Sequence, residues 1–259
     1  MENITSKDNK FIKEYIKLST KKAYRDEQQK FVIESVKLYK EAVATNTKIE
    51  KVFVTEQCIE KYFNESEKSF QADKTYIISQ EISNKMSELP SSQGIFAILK
   101  KPDFLNFTAI KNGKYIVLCD VQDPGNIGTI VRTADAFGLD GVVLAGNSCD
   151  IYNIKTIRST MGSLFRVKIF ITNSCMDVVN HFNGNNIITC AAVLDKLAKD
   201  ISKYKFPNNC AVLIGNEGNG LSQQISDICS EKITIKMAGN AESLNASMAA
   251  GILMWELTK

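Results

Sequence analysis

Apolar residues in the first forty positions recur at helical intervals. Phe11, Tyr15, Ile16 and Leu18 share one face of a predicted helix. Phe31, Val32, Ser35, Val36 and Tyr39 mark a second element, read as helical after Phe31. The period then shortens. Strands are predicted around residues 52–54, 76–78 and 94–100, with a polar helix at 58–63 and a short helix ending before Pro90. Residues 101–113 mix Pro, Asn and Gly without periodicity, which marks a boundary between domains. Beyond it, continuous apolar runs fall at 115–119, 141–145, 166–171, 186–193, 210–214 and 232–235, most of them separated by helical patterns. Buried strands alternating with helices predict an α/β domain with a parallel sheet covered on both faces. Ligands in such sheets sit beyond the carboxyl ends of the strands. The expected organisation is a smaller α/β domain over residues 1–105, a linker at 106–113 and a second domain over 114–259.

Composition narrows the classes. The chain has 259 residues, 44% hydrophobic and 24% charged, as soluble globular proteins do. It has no apolar run long enough to span a bilayer and no apolar leader, so a cytoplasmic protein without a membrane partner is expected. Seven cysteines are present without a C-x-x-C pair; reduced, buried thiols and no metal site are expected. His181 is the only histidine, and it lies in a helix-like segment, so it is a poor candidate for a Ser-His or Cys-His mechanism. The net charge of +3 is uneven: residues 1–40 hold ten basic against six acidic side chains. That excess fits a phosphate-facing surface or a solvated pair of helices.

Three segments follow predicted strands. The first, DVQDPGNIGTIVRTADAFG, turns at Pro124 and Gly125, with Asn126 a helix cap and Gly138 just past the helix end. Ile127, Ile130, Val131, Ala134 and Phe137 gather on one face of that helix, so Arg132 points away from it, as a surface arginine or a functional one. The second, VLIGNEGNGLS, places Gly215, Gly218 and Gly220 around Glu217. Its spacing is that of neither a P-loop nor a dinucleotide turn, leaving a tight strand-to-helix turn or a close approach to another ligand. The third, ITIKMAGNAESLNASMAAGILMWEL, enters a helix near Ser243. Small residues from Ala246 to Gly251 let another backbone come close.

Together, in this order, the three segments resemble the SpoU/TrmH branch of the SPOUT RNA methyltransferases. Asn126, Gly128 and Arg132 match its first motif, Gly215 to Gly220 its second, and Ser243, Leu244, Asn245, Ser247, Ala249 and Gly251 its third. Asn153, Arg158, Ser159 and Gly162 match a further stretch. Residues 17–35 resemble the family's substrate-binding domain, a small module like certain ribosomal proteins, with Ser35 where the family usually has Gly.

The resemblance implies a C-terminal SPOUT domain with a deep trefoil knot, a homodimer, and S-adenosylmethionine as methyl donor to a ribose 2′-hydroxyl of RNA. The two-domain build points to ribosomal RNA of the large subunit. Transfer RNA, or an inactive protein that only binds RNA, are the alternatives. It implies that Gly215, Ile235 and Leu244 contact the cofactor, with residues 192–194 beside the adenosine. Arg132 is implied to act at the 2′-hydroxyl, in cis or from the other protomer. A guanidinium holds its proton tightly, so orienting the hydroxyl and binding phosphate is the simpler role than that of base. Asn126, Glu217, Ser243 and Asn245 are implied to orient Arg132, the loops and the ribose.

Overall fold

The computed structural model describes residues 1–64, 69–103 and 105–259. Residue 104, within the stretch read as a boundary, lies outside them. Packing divides the chain into two units. One holds residues 1–102 and 150–165, the other 103–149 and 166–259.

The first unit is built on a five-stranded sheet. Its elements run β1 (Glu2–Ile4), α1 (Lys10–Thr20), α2 (Lys22–Gln28), β2 (Lys30–Glu34), α3 (Val36–Ala44), β3 (Ile49–Val54), α4 (Glu56–Tyr62), β4 (Lys74–Ile78), α5 (Gln80–Met86) and β5 (Ile95–Lys100). The strand order is β1-β4-β3-β5-β2, with β5 antiparallel to both neighbours. Asn9 caps α1 by accepting from the Phe11 amide at 2.8 Å, and Ile12, Tyr15 and Leu18 bury the predicted face. Tyr15 meets Phe53 and Phe96 edge-on at 6.3 and 5.4 Å.

The helix predicted after Phe31 is corrected. Residues 31–34 form the strand β2, and α3 begins only at Val36. Three successive apolar residues, Phe31 to Ile33, fit a buried strand as well as a helix, and the sheet decides. Ser35 makes the turn between them with φ 134° and ψ 153°. Only glycine occupies that region without strain of about 1–3 kcal/mol. The Ser35 hydroxyl accepts from the Leu38 amide at 3.2 Å, a cap that recovers part of the cost. Ser35→Gly is expected to stabilise the protein by about 1 kcal/mol, raising Tm by about 2–4 °C. Calorimetry of the two proteins checks this, and an unchanged or lower Tm would contradict it.

Residues 150–165 complete this unit. They hold α7 (Ile154–Thr160) and a single 3-10 turn, Ser163–Phe165. Arg25 donates from Nε and Nη2 to Asp150 at 2.9 and 2.7 Å, with both side chains nearly buried. Ile154 joins the core of Tyr15 and Phe96, and Tyr152 packs on Phe31 with ring centres 4.8 Å apart. The fourth family-like stretch therefore has a folding role. Asn153 caps α7, Arg158 lies 3.8 Å from Glu34 and 3.5 Å from Glu88, and a Cβ on Gly162 would come within 2.6 Å of Glu41.

The second unit is an all-parallel, seven-stranded sheet. Its elements run β6 (Lys114–Cys119), α6 (Pro124–Phe137), β7 (Gly141–Ala145), β8 (Ile169–Thr172), α8 (Cys175–Gly184), β9 (Ile188–Ala192), β10 (Lys199–Asp200), β11 (Cys210–Ile214), α9 (Gln223–Ile228), β12 (Glu231–Thr234) and α10 (Ala246–Thr258). The strand order is β10-β12-β9-β11-β6-β7-β8. Tyr115, Val117, Val143 and Leu213 pack with Val178, Val179 and Phe182 of α8, and α10 lies against α6, β11 and β6. The short β1, α2 and β10 were not apparent as patterns.

The expectation of reduced cysteines is corrected at one pair. Cys119 and Cys175 form a disulfide, because the fold sets the end of β6 beside the start of α8. Cys58, Cys190, Cys210 and Cys229 are free thiols, and His181 is structural: its Nε2 lies 2.9 Å from the Ile110 carbonyl oxygen. No helix among the described residues is long and apolar enough to cross a membrane.

Candidate cofactor and active site

The strand order reverses direction around β6 and β11: β7 and β8 extend one way, β9, β12 and β10 the other. A cavity of about 630 Å³ opens at the carboxyl ends of β9, β11 and β12, and the first turns of α10 contribute to its wall. That volume suits a small-molecule site, and the position is the one the strand order favours.

The loop after β11 is shaped by contacts within itself. Asn216 and Gly220 exchange backbone hydrogen bonds at 3.1 and 2.8 Å. The Asn216 side chain accepts from the Gly218 and Asn219 amides and donates to the Asp120 carbonyl at 3.0 Å. Gly215 is required by close approach: a Cβ there would lie 2.1 Å from the Gly220 carbonyl carbon. Gly220 itself takes φ 67°, the left-handed region.

The tight loop presents Glu217 to the start of α6. Glu217 accepts from the Asp123 amide at 3.0 Å and the Gln122 amide at 3.1 Å, and from the Asn126 side-chain amide at 3.0 Å. Partial burial raises the cost of its charge, but these hydrogen bonds outweigh that and hold its carboxyl below the ordinary range. The Asn126 side-chain oxygen in turn accepts from the Asn245 amide at 3.0 Å. Asn245 caps α10 by accepting from the Ser247 amide and hydroxyl at 2.9 and 2.7 Å. One chain of hydrogen bonds, Glu217 to Asn126 to Asn245, thus ties together all three sequence segments.

Two expectations change here. Asn126 is not the cap of α6; Asp123 is, accepting from the Asn126 amide at 2.7 Å, with Pro124 in the first turn. The Asn126 side chain is freed for Glu217. The last helix begins at Ala246, capped by Asn245, and Ser243 lies in the loop before it.

Of the residues singled out for the cofactor, Gly215, Ile235 and Leu244 all line the cavity, as do Ala192, Val193 and Leu194. Ser243 lines it too, without joining the hydrogen-bond chain. Arg132 stands apart. It is exposed on α6, does not line the cavity, and has no hydrogen bond or ion pair among the described residues. Sequence reading did not single out Asp120, Asp123 or Asn216. Asp120 adopts φ 58° and accepts from the Asn147 amide at 2.8 Å. An Asp-Pro pair opening a helix was the available signal for Asp123; nothing local marked Asp120 or Asn216. No cluster able to hold a metal occurs among the described residues.

The profile of the SpoU rRNA Methylase family matches residues 113–255, and that of an MRM3-like substrate binding domain matches residues 9–97. The chain is 31% identical over 258 residues to the 23S rRNA (guanosine(2553)-2'-O)-methyltransferase RlmP of Bacillus subtilis (strain 168), with 99% of each chain covered. It is 33% identical over 171 residues to the 23S rRNA (uridine(2479)-2'-O)-methyltransferase of Streptomyces viridochromogenes, covering 64% of this chain and 60% of that one. In three dimensions it is similar to the AdoMet-bound rRNA methyltransferase from Sinorhizobium meliloti. The TM-score is 0.87 at 26% identity, over 99% of this chain and 97% of that one.

Proposed function

The chain belongs to the SpoU rRNA methylase family, and on that premise we propose that it transfers a methyl group from S-adenosylmethionine to a ribose 2′-hydroxyl in large-subunit ribosomal RNA. The observation that carries this reading is the cavity at the strand ends, with its loops fastened to each other through Glu217, Asn126 and Asn245. The cavity fits the cofactor chemically. Val193, Ile214, Ile235, Leu244 and Leu253 give it apolar walls for a flat base, and the bare backbone at Gly215 admits close polar contact. When bound, S-adenosylmethionine supplies a methyl group activated by a positive sulfur.

The protein's own residues do the rest. The Gly215 loop, Ile235 and Leu244 hold the donor. Asn126, Glu217 and Asn245 keep the three loops in register, so that donor and acceptor meet in a fixed geometry. Ser243, in the cavity wall, is placed to help orient the ribose. Arg132 orients the 2′-hydroxyl and the adjoining phosphate.

Its distance from its own cavity wall is met by a homodimer. Met248 and Trp255, seven residues apart on α10, are 62% and 53% exposed, and Trp255 leans on Phe137 of α6 at 5.7 Å. An apolar stripe of this kind suits a second copy of the chain. Because α6 also carries Arg132, the same contact would deliver Arg132 to the partner's cavity. The trefoil knot is proposed on the family resemblance. Residues 1–105, completed by 150–165, are read as the RNA-selecting domain and the rest of 114–259 as the transferring one, in a cytoplasmic enzyme.

The test is transfer of a labelled methyl group from S-adenosylmethionine to ribosomal RNA from a strain lacking this gene, followed by mapping of ribose methylation. One protected large-subunit nucleotide is expected. Methylation of transfer RNA instead would move the substrate. Cofactor binding without transfer to any RNA would leave a binding protein.

A further inference from the structure

The first forty residues are rich in basic side chains, and the fold sorts them. Arg25 is buried against Asp150. Lys30 lies between Glu14 and Glu50 at 3.2 and 2.9 Å, and Lys7 pairs with Glu81. These charges are spent inside the first unit. Others line up along α1. Lys10, Lys13 and Lys17 recur every three or four residues, and Lys21, at the helix end, continues the row; all four are exposed. At a rise of 1.5 Å per residue the steps are about 5 Å and the row about 16 Å long.

The row carries almost no compensating charge. The only acid within α1, Glu14, is turned to Lys30 and Lys51. Lys10 and Lys17 rest over the rings of Phe11 and Tyr24 at 5.0 and 5.6 Å. Among the described residues, no carboxylate lies within ion-pair distance of Lys10, Lys17 or Lys21, and Lys13 meets only the exposed Asp8 at 3.2 Å. Lys22 is excluded from the row because it faces Asp26 at 3.9 Å. Regularly spaced, exposed and largely uncompensated cations match a chain of phosphates.

We propose that Lys10, Lys13, Lys17 and Lys21 form the track on which the first unit holds the RNA phosphodiester chain. The assignment rests on the reading of the protein as an RNA methyltransferase. It narrows substrate capture to one helix face.

The experiment compares the intact protein, the variant Lys10→Ala/Lys17→Ala/Lys21→Ala and a charge-matched control, Lys48→Ala/Lys61→Ala/Lys74→Ala, whose residues lie on the same unit. Binding to ribosomal RNA from the deletion strain is measured across a range of KCl, alongside S-adenosylmethionine affinity and Tm. The α1 variant is expected to lose tenfold or more in RNA affinity, with the slope of log affinity against log salt falling by about 2, since each phosphate contact contributes about 0.7–0.9. Cofactor affinity and Tm should hold, and the control should change the slope far less. An unchanged slope in the α1 variant, or equal losses in both variants, overturns the track. So does intact RNA affinity with lost binding to phosphatidylglycerol vesicles, which would give the row to a lipid surface. Absence of methyl transfer by the wild-type protein to any RNA would instead overturn the parent reading.

Discussion

Arg132→Ala is expected to lower methyl transfer by about 10³-fold while leaving S-adenosylmethionine affinity within about twofold. The split follows from position. Arg132 is exposed on α6 and forms no part of its own cavity wall, so its loss leaves the cofactor's surroundings intact. Nor does it break any hydrogen bond or ion pair among the described residues, so Tm should not move. If Arg132 serves the partner's cavity, the deficit can be repaired in trans. A heterodimer of Arg132→Ala with Glu217→Ala, purified through two different tags, has one cavity that is intact and faces an intact arginine. About half of wild-type turnover is expected from such a two-fold dimer, against about a thousandth for the Arg132→Ala homodimer and about a tenth or less for Glu217→Ala. A heterodimer as inactive as its parents would place Arg132 in cis, and full activity of Arg132→Ala alone would remove it from the mechanism.

The strands of the second unit were legible because buried parallel strands are continuous apolar runs, and five residues such as 210–214 admit little else. The first unit was harder. Phe31 to Tyr39 mixes a strand, a strained serine and a helix, and the polar pair Glu34–Ser35 between them fits the outer face of one continuous helix as well as a strand-to-helix turn, so local pattern cannot separate them. The cavity residues Gly215, Ile235 and Leu244 came from motif resemblance, and the geometry brings them together. Contacts distant in sequence were invisible. Nothing near Glu217 says that its partners are the amides of Gln122 and Asp123, and nothing near Arg158 points to Glu34. The same blindness affects the simplest truncation. Removing residues 1–105 would strip residues 150–165 of the core that buries Ile154 and of the Arg25 partner of Asp150. Point variants on α1 are the cleaner probe.

Glu217→Ala is expected to weaken S-adenosylmethionine binding by about 10–100-fold and to lower methyl transfer at least as much, the loss of charge-assisted hydrogen bonds being worth about 1.5–3 kcal/mol. The carboxylate is the common acceptor for two backbone amides and the Asn126 side chain. Without it, the Gly215 loop loses its hold on the start of α6, and Asn126 loses the contact that aims it at Asn245. The three residues should therefore behave as a unit. Adding Asn126→Ala to Glu217→Ala is expected to cost little more than Glu217→Ala alone; fully additive losses would mean that the chain of bonds does not act as one. Acid supplies an independent readout. Burial works against the charge of Glu217, but hydrogen bonds from Asn126, Asp123 and Gln122 hold its carboxyl below its ordinary 4.5. A carboxylate depressed in the fold contributes stability above its unfolded value, and that contribution is lost as the pH falls through the folded value. Wild-type cofactor affinity should accordingly decline below about pH 4.5, while Glu217→Ala, already without the latch, should show a shallower acid limb over the same range. Parallel acid limbs in the two proteins would mean that another group governs the loops.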